Sequence, residues 1–103
     1  MTQFNLYHNT NRETQGRYPF LLDIQSNFLD TLKTRLVIPA TKLVDQKPMT
    51  YLNPVFEWEQ QTYILQIQEM AAIPANHLGD KVTELETLRD QILAAVDLLI
   101  TGI

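Results

Sequence analysis

The chain offers few side chains suited to catalysis: two histidines, His8 and His77, one serine, Ser26, and no cysteine among 103 residues. Nucleophilic catalysis needs a base within hydrogen-bond reach of the nucleophile. Ser26 lies in no Gly-x-Ser-x-Gly elbow, and both histidines sit in polar, loop-like stretches. Without thiolates there is no disulfide framework and no cysteine zinc site. Two imidazoles on separate elements do not make a metal centre. Gly16, Gly79 and Gly102 are too far apart for a phosphate-binding loop or a dinucleotide fingerprint. The acid pairs Glu57/Glu59 and Glu84/Glu86 read as solvated strand, turn and helix-start residues rather than a general acid–base couple. Trp58 and Tyr63 are expected to pair across a hairpin or in the core, not to stack on bases. These residues predict a binding protein, not an enzyme, with no catalytic residue, no metal and no cofactor.

The elements that must position a binding face come next. A chain 45% hydrophobic and 19% charged supports one folded domain over residues 1–103. Its net charge of −4 argues against a broad phosphate-binding face, which needs clustered Lys and Arg. The N-terminal residues carry no basic region followed by an apolar one, and the apolar run 92–100 is too short to span a bilayer. A soluble, cytoplasmic protein without membrane contact is expected. Gln3–Tyr7 alternates as a strand, with Phe4 and Leu6 on one side. His8–Gly16 is a polar loop. Tyr18–Gln25 resumes extended, with Tyr18, Phe20, Leu22 and Ile24 on one face. Leu36–Ile38 is a short strand closed by Pro39, and Thr41–Thr50 is a second loop. Val55–Trp58 and Thr62–Ile67 form a hairpin across Glu59, Gln60 and Gln61, and Met70–Pro74 is extended again. Several short strands at such spacing predict a mainly-β barrel or sandwich.

The tail departs from this rhythm. Leu85, Leu88, Ile92, Val96 and Leu99 recur at helical spacing, Gly and Pro are absent from 80 to 101, and Gly102 follows as a stop. Asp80, Glu84 and Glu86 are the candidate starts. Leu93, Leu98 and Ile100 lie off that stripe, so the last two turns are apolar nearly all round except at Asp97. Burying three such side chains is worth roughly 1.5–3 kcal/mol each, which favours homodimerisation through this helix.

Five segments carry a family resemblance. Gln3-Phe4-x-x-Tyr7, Asp23-Ile24-Gln25-Ser26, Arg35-Leu36-Val37-Ile38-Pro39, Met70-Ala71-Ala72-Ile73-Pro74 and Gly102-Ile103 resemble the CcdB family of toxins, in register along almost the whole chain. The resemblance implies an SH3-like barrel of the CcdB/MazF type with a C-terminal helix at the centre of a homodimer. It implies a toxin of a bacterial toxin–antitoxin module that binds the DNA gyrase A subunit and traps the enzyme with its DNA cleaved. A CcdA-like antitoxin would neutralise it and would supply the DNA contact when the pair represses its own operon. The family's gyrase-binding positions fall on Gln3, Phe4, Tyr7 and Ser26, on Phe28 and Leu29, and on Asp97, Ile100, Thr101, Gly102 and Ile103. Phe28 and Leu29 are larger in outline than the two isoleucines of the best-known member. Asp97 stands where that member has asparagine, and Thr101 where it has the tryptophan that sandwiches a gyrase arginine, a contact worth about 0.5–2 kcal/mol. Two readings compete: a MazF-like ribonuclease toxin, disfavoured by the thin spread of Arg12, Arg17, Arg35 and Arg89, and a weak or inactive homologue, kept open by Thr101. The loops His8–Gly16 and Thr41–Pro48 are candidate antitoxin-facing surfaces.

Overall fold

The structure is a computed structural model that describes residues 2–44 and 46–102. Its strands are β1 (Asn5–Asn9), β2 (Phe20–Asp23), β3 (Thr34–Lys42), β4 (Val55–Trp58), β5 (Gln61–Leu65), β6 (Ala71–Pro74) and β7 (Leu78–Glu84), followed by one helix, α1 (Arg89–Thr101). They form one antiparallel sheet in the order β4-β5-β3-β2-β1-β7, with β6 also on β3. The sheet curls into a half-barrel. Its curvature centres on β3, which pairs with β6 through Thr34–Val37 and with β5 through Ala40–Lys42.

Alternation of side chains sorts the strands into an inner and an outer face. Leu6, Leu22 and Ile38 stand in one cross-strand row and enter the main core with Phe4, Phe20, Leu65 and Ile67. Tyr7, Leu21 and Val37 point the other way and form a second, smaller cluster with Leu78. The helix closes the open side of the curl. Ile92 and Ala95 are fully buried in the main core, and α1 rests on the 3-10 turn Ile67–Glu69.

Several expected boundaries move, each for a physical reason. The third strand runs through Pro39 instead of ending there. Pro39 falls in the gap between the β6-paired and β5-paired halves of β3, where no neighbour asks for its missing N–H. The first strand starts at Asn5 because Phe4 adopts a left-handed conformation, φ 67°, with its N–H on the Asp23 carbonyl. Residues 78–84, which include two of the expected helix starts, are a strand. Their partner is β1, and α1 begins only at Arg89 after the 3-10 turn Glu86–Leu88. Trp58 and Tyr63 both belong to the main core, Tyr63 within it and Trp58 packed against it, but they are not a cross-strand pair. The hairpin is tighter than expected, so Trp58 faces Gln61 and Tyr63 faces Phe56, stacking on it with ring centroids 5.4 Å apart.

Candidate functional site: the helix end and the loop after β2

The last turns of α1 carry the expected apolar surplus, but Leu99, expected on the stripe that faces the core, is turned outward. Leu93 and Leu99 are exposed, and Ile100 is 71% exposed, so a large part of the helix surface faces outward uncovered. Asp97 and Thr101 are exposed on the same turns, and the Thr101 hydroxyl donates to the Asp97 carbonyl at 2.7 Å. Gly102 closes the helix in the left-handed conformation, φ 75°, its N–H reaching the Leu98 carbonyl at 2.9 Å. This is the C-terminal stop its position predicts. Ile103 lies outside the described residues.

The second part of the site is the segment after β2. Ser26 caps the 3-10 turn Asn27–Leu29, its Oγ accepting the Phe28 N–H at 3.2 Å. Phe28 is 98% exposed, and Leu29 and Leu32 are about half exposed. The segment is held from several sides by polar bonds. Gln3 N–H donates to Asn27 Oδ1, and the Gln25 side-chain amide donates to the Leu29 carbonyl. The Arg35 Nη1 donates to Asp30 Oδ1 at 2.9 Å.

Two of the expected contact residues are positioned differently from the rest. Phe4 is 1% exposed and lies beneath the Arg89 guanidinium, 5.9 Å from the ring centroid. Tyr7 is buried, its hydroxyl accepting from the Thr2 N–H and the Asn5 amide. Neither ring is presented on the surface. Gln3 is half-buried and turned inward, its side-chain amide on the Ile24 carbonyl. Phe4, with Ile24 and Val96 packed against its cluster, ties the N-terminal segment, the end of β2 and α1 into one support.

Arg35 stands in one of the family motifs, but the sequence assigns it no role. It is buried and grips Asp23 Oδ2 through Nε at 2.9 Å and Nη2 at 2.7 Å. Burial raises the Asp23 carboxyl above the ordinary carboxylate range, against the lowering effect of its bonds to Arg35 and to the Gln25 N–H. Burial works against the charge on Arg35 too, but its bonds to Asp23 and Asp30 outweigh that and raise its pKa. A charged residue beside Leu36-Val37-Ile38, with an acid twelve positions earlier on the neighbouring strand, was the available signal.

Two concavities complete the surface. A groove of about 670 Å³ runs between α1 and the loop before β4, with Ala94 and Leu98 on one wall and Met49, Tyr51, Pro54 and Val55 on the other. A smaller pocket of about 210 Å³ lies under the β1–β2 loop, lined by Asn11, Tyr18, Glu69 and His77 over Leu21 and Ile73. There the Tyr18 hydroxyl donates to Glu69 at 2.8 Å, and burial followed by this bond raises its pKa. Arg17 reaches the same carboxylate at 3.3 Å. Of the two loops expected to face an antitoxin, His8–Gly16 begins as strand, since His8 and Asn9 belong to β1. Thr41–Pro48 likewise begins in β3 and contains Asp45, which lies outside the described residues. Among the described residues no group of His, Asp or Glu gathers as a metal site, and no helix is long and apolar enough to cross a membrane.

The profile of the CcdB protein family matches residues 3–102. The chain belongs to the CcdB family. Membership places it among the toxins of toxin–antitoxin modules, and the mostly-β half-barrel with one C-terminal helix agrees with the solved structures it resembles. One is an endoribonuclease in complex with its cognate antitoxin from Mycobacterial species, at TM-score 0.76 and 10% identity over 97% of this chain and 94% of that one. The endoribonuclease from Mycobacterial species gives 0.73 and 10% over 97% and 90%. The Mycobacterium tuberculosis toxin MazF-mt6 gives 0.66 and 15% over 92% and 94%. At such identities the likeness is one of fold.

Proposed function

We propose that this chain is a cytoplasmic homodimeric toxin that binds the DNA gyrase A subunit and traps the gyrase–DNA cleavage complex. A CcdA-like antitoxin neutralises it and carries the DNA contact of the pair. The family match over residues 3–102 carries this reading. Its surface support is the pair of exposed apolar features at the family's contact positions, Phe28 with Leu29 and the end of α1. The exposed Leu93, Leu99 and Ile100 supply the apolar area for a dimer contact, each worth roughly 1.5–3 kcal/mol on burial. A two-fold dimer then meets the two gyrase A chains along a shared axis. Binding alone is enough: the toxin traps gyrase to the extent that it prefers the cleaved conformation over the others. With Thr101 in place of tryptophan, Asp97 takes over the pairing with a gyrase cation through a charge-assisted hydrogen bond.

Incubation of the purified chain with gyrase and supercoiled DNA tests the proposal. Accumulation of linear, gyrase-linked DNA is expected, together with loss of that product when residues 102–103 are deleted. No gyrase-dependent cleavage at micromolar protein rejects it.

A second reading is favoured by one specific observation. Tyr18, Glu69 and His77 line the pocket under the β1–β2 loop and Arg17 pairs with Glu69, and a base, an acid and a cation are what RNA cleavage requires. Two of the structural neighbours are endoribonucleases. Cleavage of a defined RNA by the pure chain, abolished by His77→Ala or Glu69→Gln, would establish this reading over the first.

A further inference from the structure

The loop after β2 exposes Phe28 almost completely, and its 3-10 turn buries no side chain. Apolar packing therefore does not set its shape. What fixes it is a set of polar bonds from the body of the fold, and the strongest is charged. The guanidinium of Arg35 is divided between two acids. Its Nε and Nη2 edge is committed to Asp23, which is fully buried. Its remaining nitrogen, Nη1, reaches out to Asp30 at 2.9 Å, whose side chain is about half exposed. Gln25 works in parallel. Its side-chain oxygen accepts the Leu36 N–H on β3 at 3.0 Å while its amide donates to the Leu29 carbonyl at 3.1 Å. Both links tie the exposed loop to the β2–β3 ladder.

Rigid presentation of an exposed aromatic lowers the ordering cost of binding, and buried aromatic anchors dominate interface energy. We propose that Arg35, acting through Asp30, is a positioning residue that holds Phe28 and Leu29 in their binding-ready arrangement and so sets affinity for the target. The inference rests on the gyrase reading for the identity of that target, and on the bonds alone for the ordering of the loop.

Asp30→Asn in the full chain keeps the size of the side chain and removes its charge at a half-exposed site. The melting temperature of the variant should stay close to that of the parent. Hydrogen exchange at the Leu29 and Leu32 amides, which bond to the Ser26 and Leu29 carbonyls, should quicken. Binding to the dimerisation region of gyrase A should weaken about fivefold, the scale of a partly exposed ion pair. Asp30→Glu should recover part of that loss, and in a Phe28→Ala background Asp30→Asn should cost clearly less affinity than in the parent. Unchanged exchange at both amides, or an equal affinity loss with and without Phe28, overturns the proposal. If the parent chain does not bind gyrase A, the target reading falls by itself. The exchange rates then decide whether Asp30 orders the loop. Asp30→Ser, which also removes the acid that Arg35 Nη1 reaches, provides the same readouts should Asp30→Asn fail to fold.

Discussion

At the residue scale the buried Asp23–Arg35 pair governs both stability and its dependence on pH. Replacing Arg35 by methionine leaves the Asp23 carboxylate buried without its partner, and such a loss costs about 3–5 kcal/mol. Asp23→Leu combined with Arg35→Met should cost less than Arg35→Met alone, because no unpaired charge remains; urea denaturation of the three chains reads this directly. The pH response of Arg35→Met follows from the same chemistry. Burial already raises the Asp23 pKa, and removing the guanidinium raises it further above the unfolded value. The penalty is thus full above the folded-state pKa and fades as pH falls towards the unfolded one. Relative to the parent, Arg35→Met should regain stability in thermal melts as pH falls from neutral towards the ordinary carboxylate range. Thr101 carries a second residue-scale outcome. Thr101→Trp restores the aromatic of the family pattern and should tighten gyrase A binding by roughly 0.5–2 kcal/mol, measurable by calorimetry. Among the apolar residues of the helix end, Leu93 and Ile100 stand out in the sequence because they lie off the apolar stripe, whereas Phe28 and Leu29 come from the family resemblance alone. The resemblance also implies Phe4 and Tyr7 as contact positions, yet both are buried; a motif match carries residue order but not what covers each side chain.

At the scale of elements, the β4–β5 hairpin was visible in the sequence, yet its turn chemistry was not. Glu59 and Gln60 both adopt positive φ, 47° and 65°, across the two-residue connection from Trp58 to Gln61. This is the backbone that Asn-Gly takes at least strain. Glu59→Asn with Gln60→Gly should stabilise the fold by about 1–2 kcal/mol, read as a rise in denaturation midpoint. On α1 the periodicity located the buried contact at Ile92, and Ile92→Ala should cost about 2–5 kcal/mol by the same measurement. The strand β7 escaped notice because its burial is shallow: Leu78 is buried, and every residue after it in the strand is half-buried or exposed. Its identity depends on pairing with β1, some seventy residues away, and a local window carries no record of such pairing.

For the whole molecule, the uncovered face of α1 makes a definite demand on solution state. A dimer should be the measured mass in dilute solution. Leu99→Asp with Ile100→Asp should yield monomers, whereas Leu32→Asp on the β2–β3 loop should leave the mass unchanged; light scattering separates the cases. The broad class of the fold was legible from strand spacing and one amphipathic tail, but the curl was not, because it depends on β3 serving two partners in succession. The sheet order has a further consequence for the timing of synthesis. β1 is paired on one side with β2, which follows it closely, and on the other with β7, whose last residue is Glu84. At roughly 5–20 residues per second, the second edge of β1 stays open for about 4–16 s while the chain between them is made. The main core cannot close before then, since Leu85, Ile92 and Ala95 arrive later still. The growing chain therefore passes through an interval with an unpaired strand edge and exposed apolar surface. That interval is when a partner made alongside it has access to surfaces that the finished fold hides.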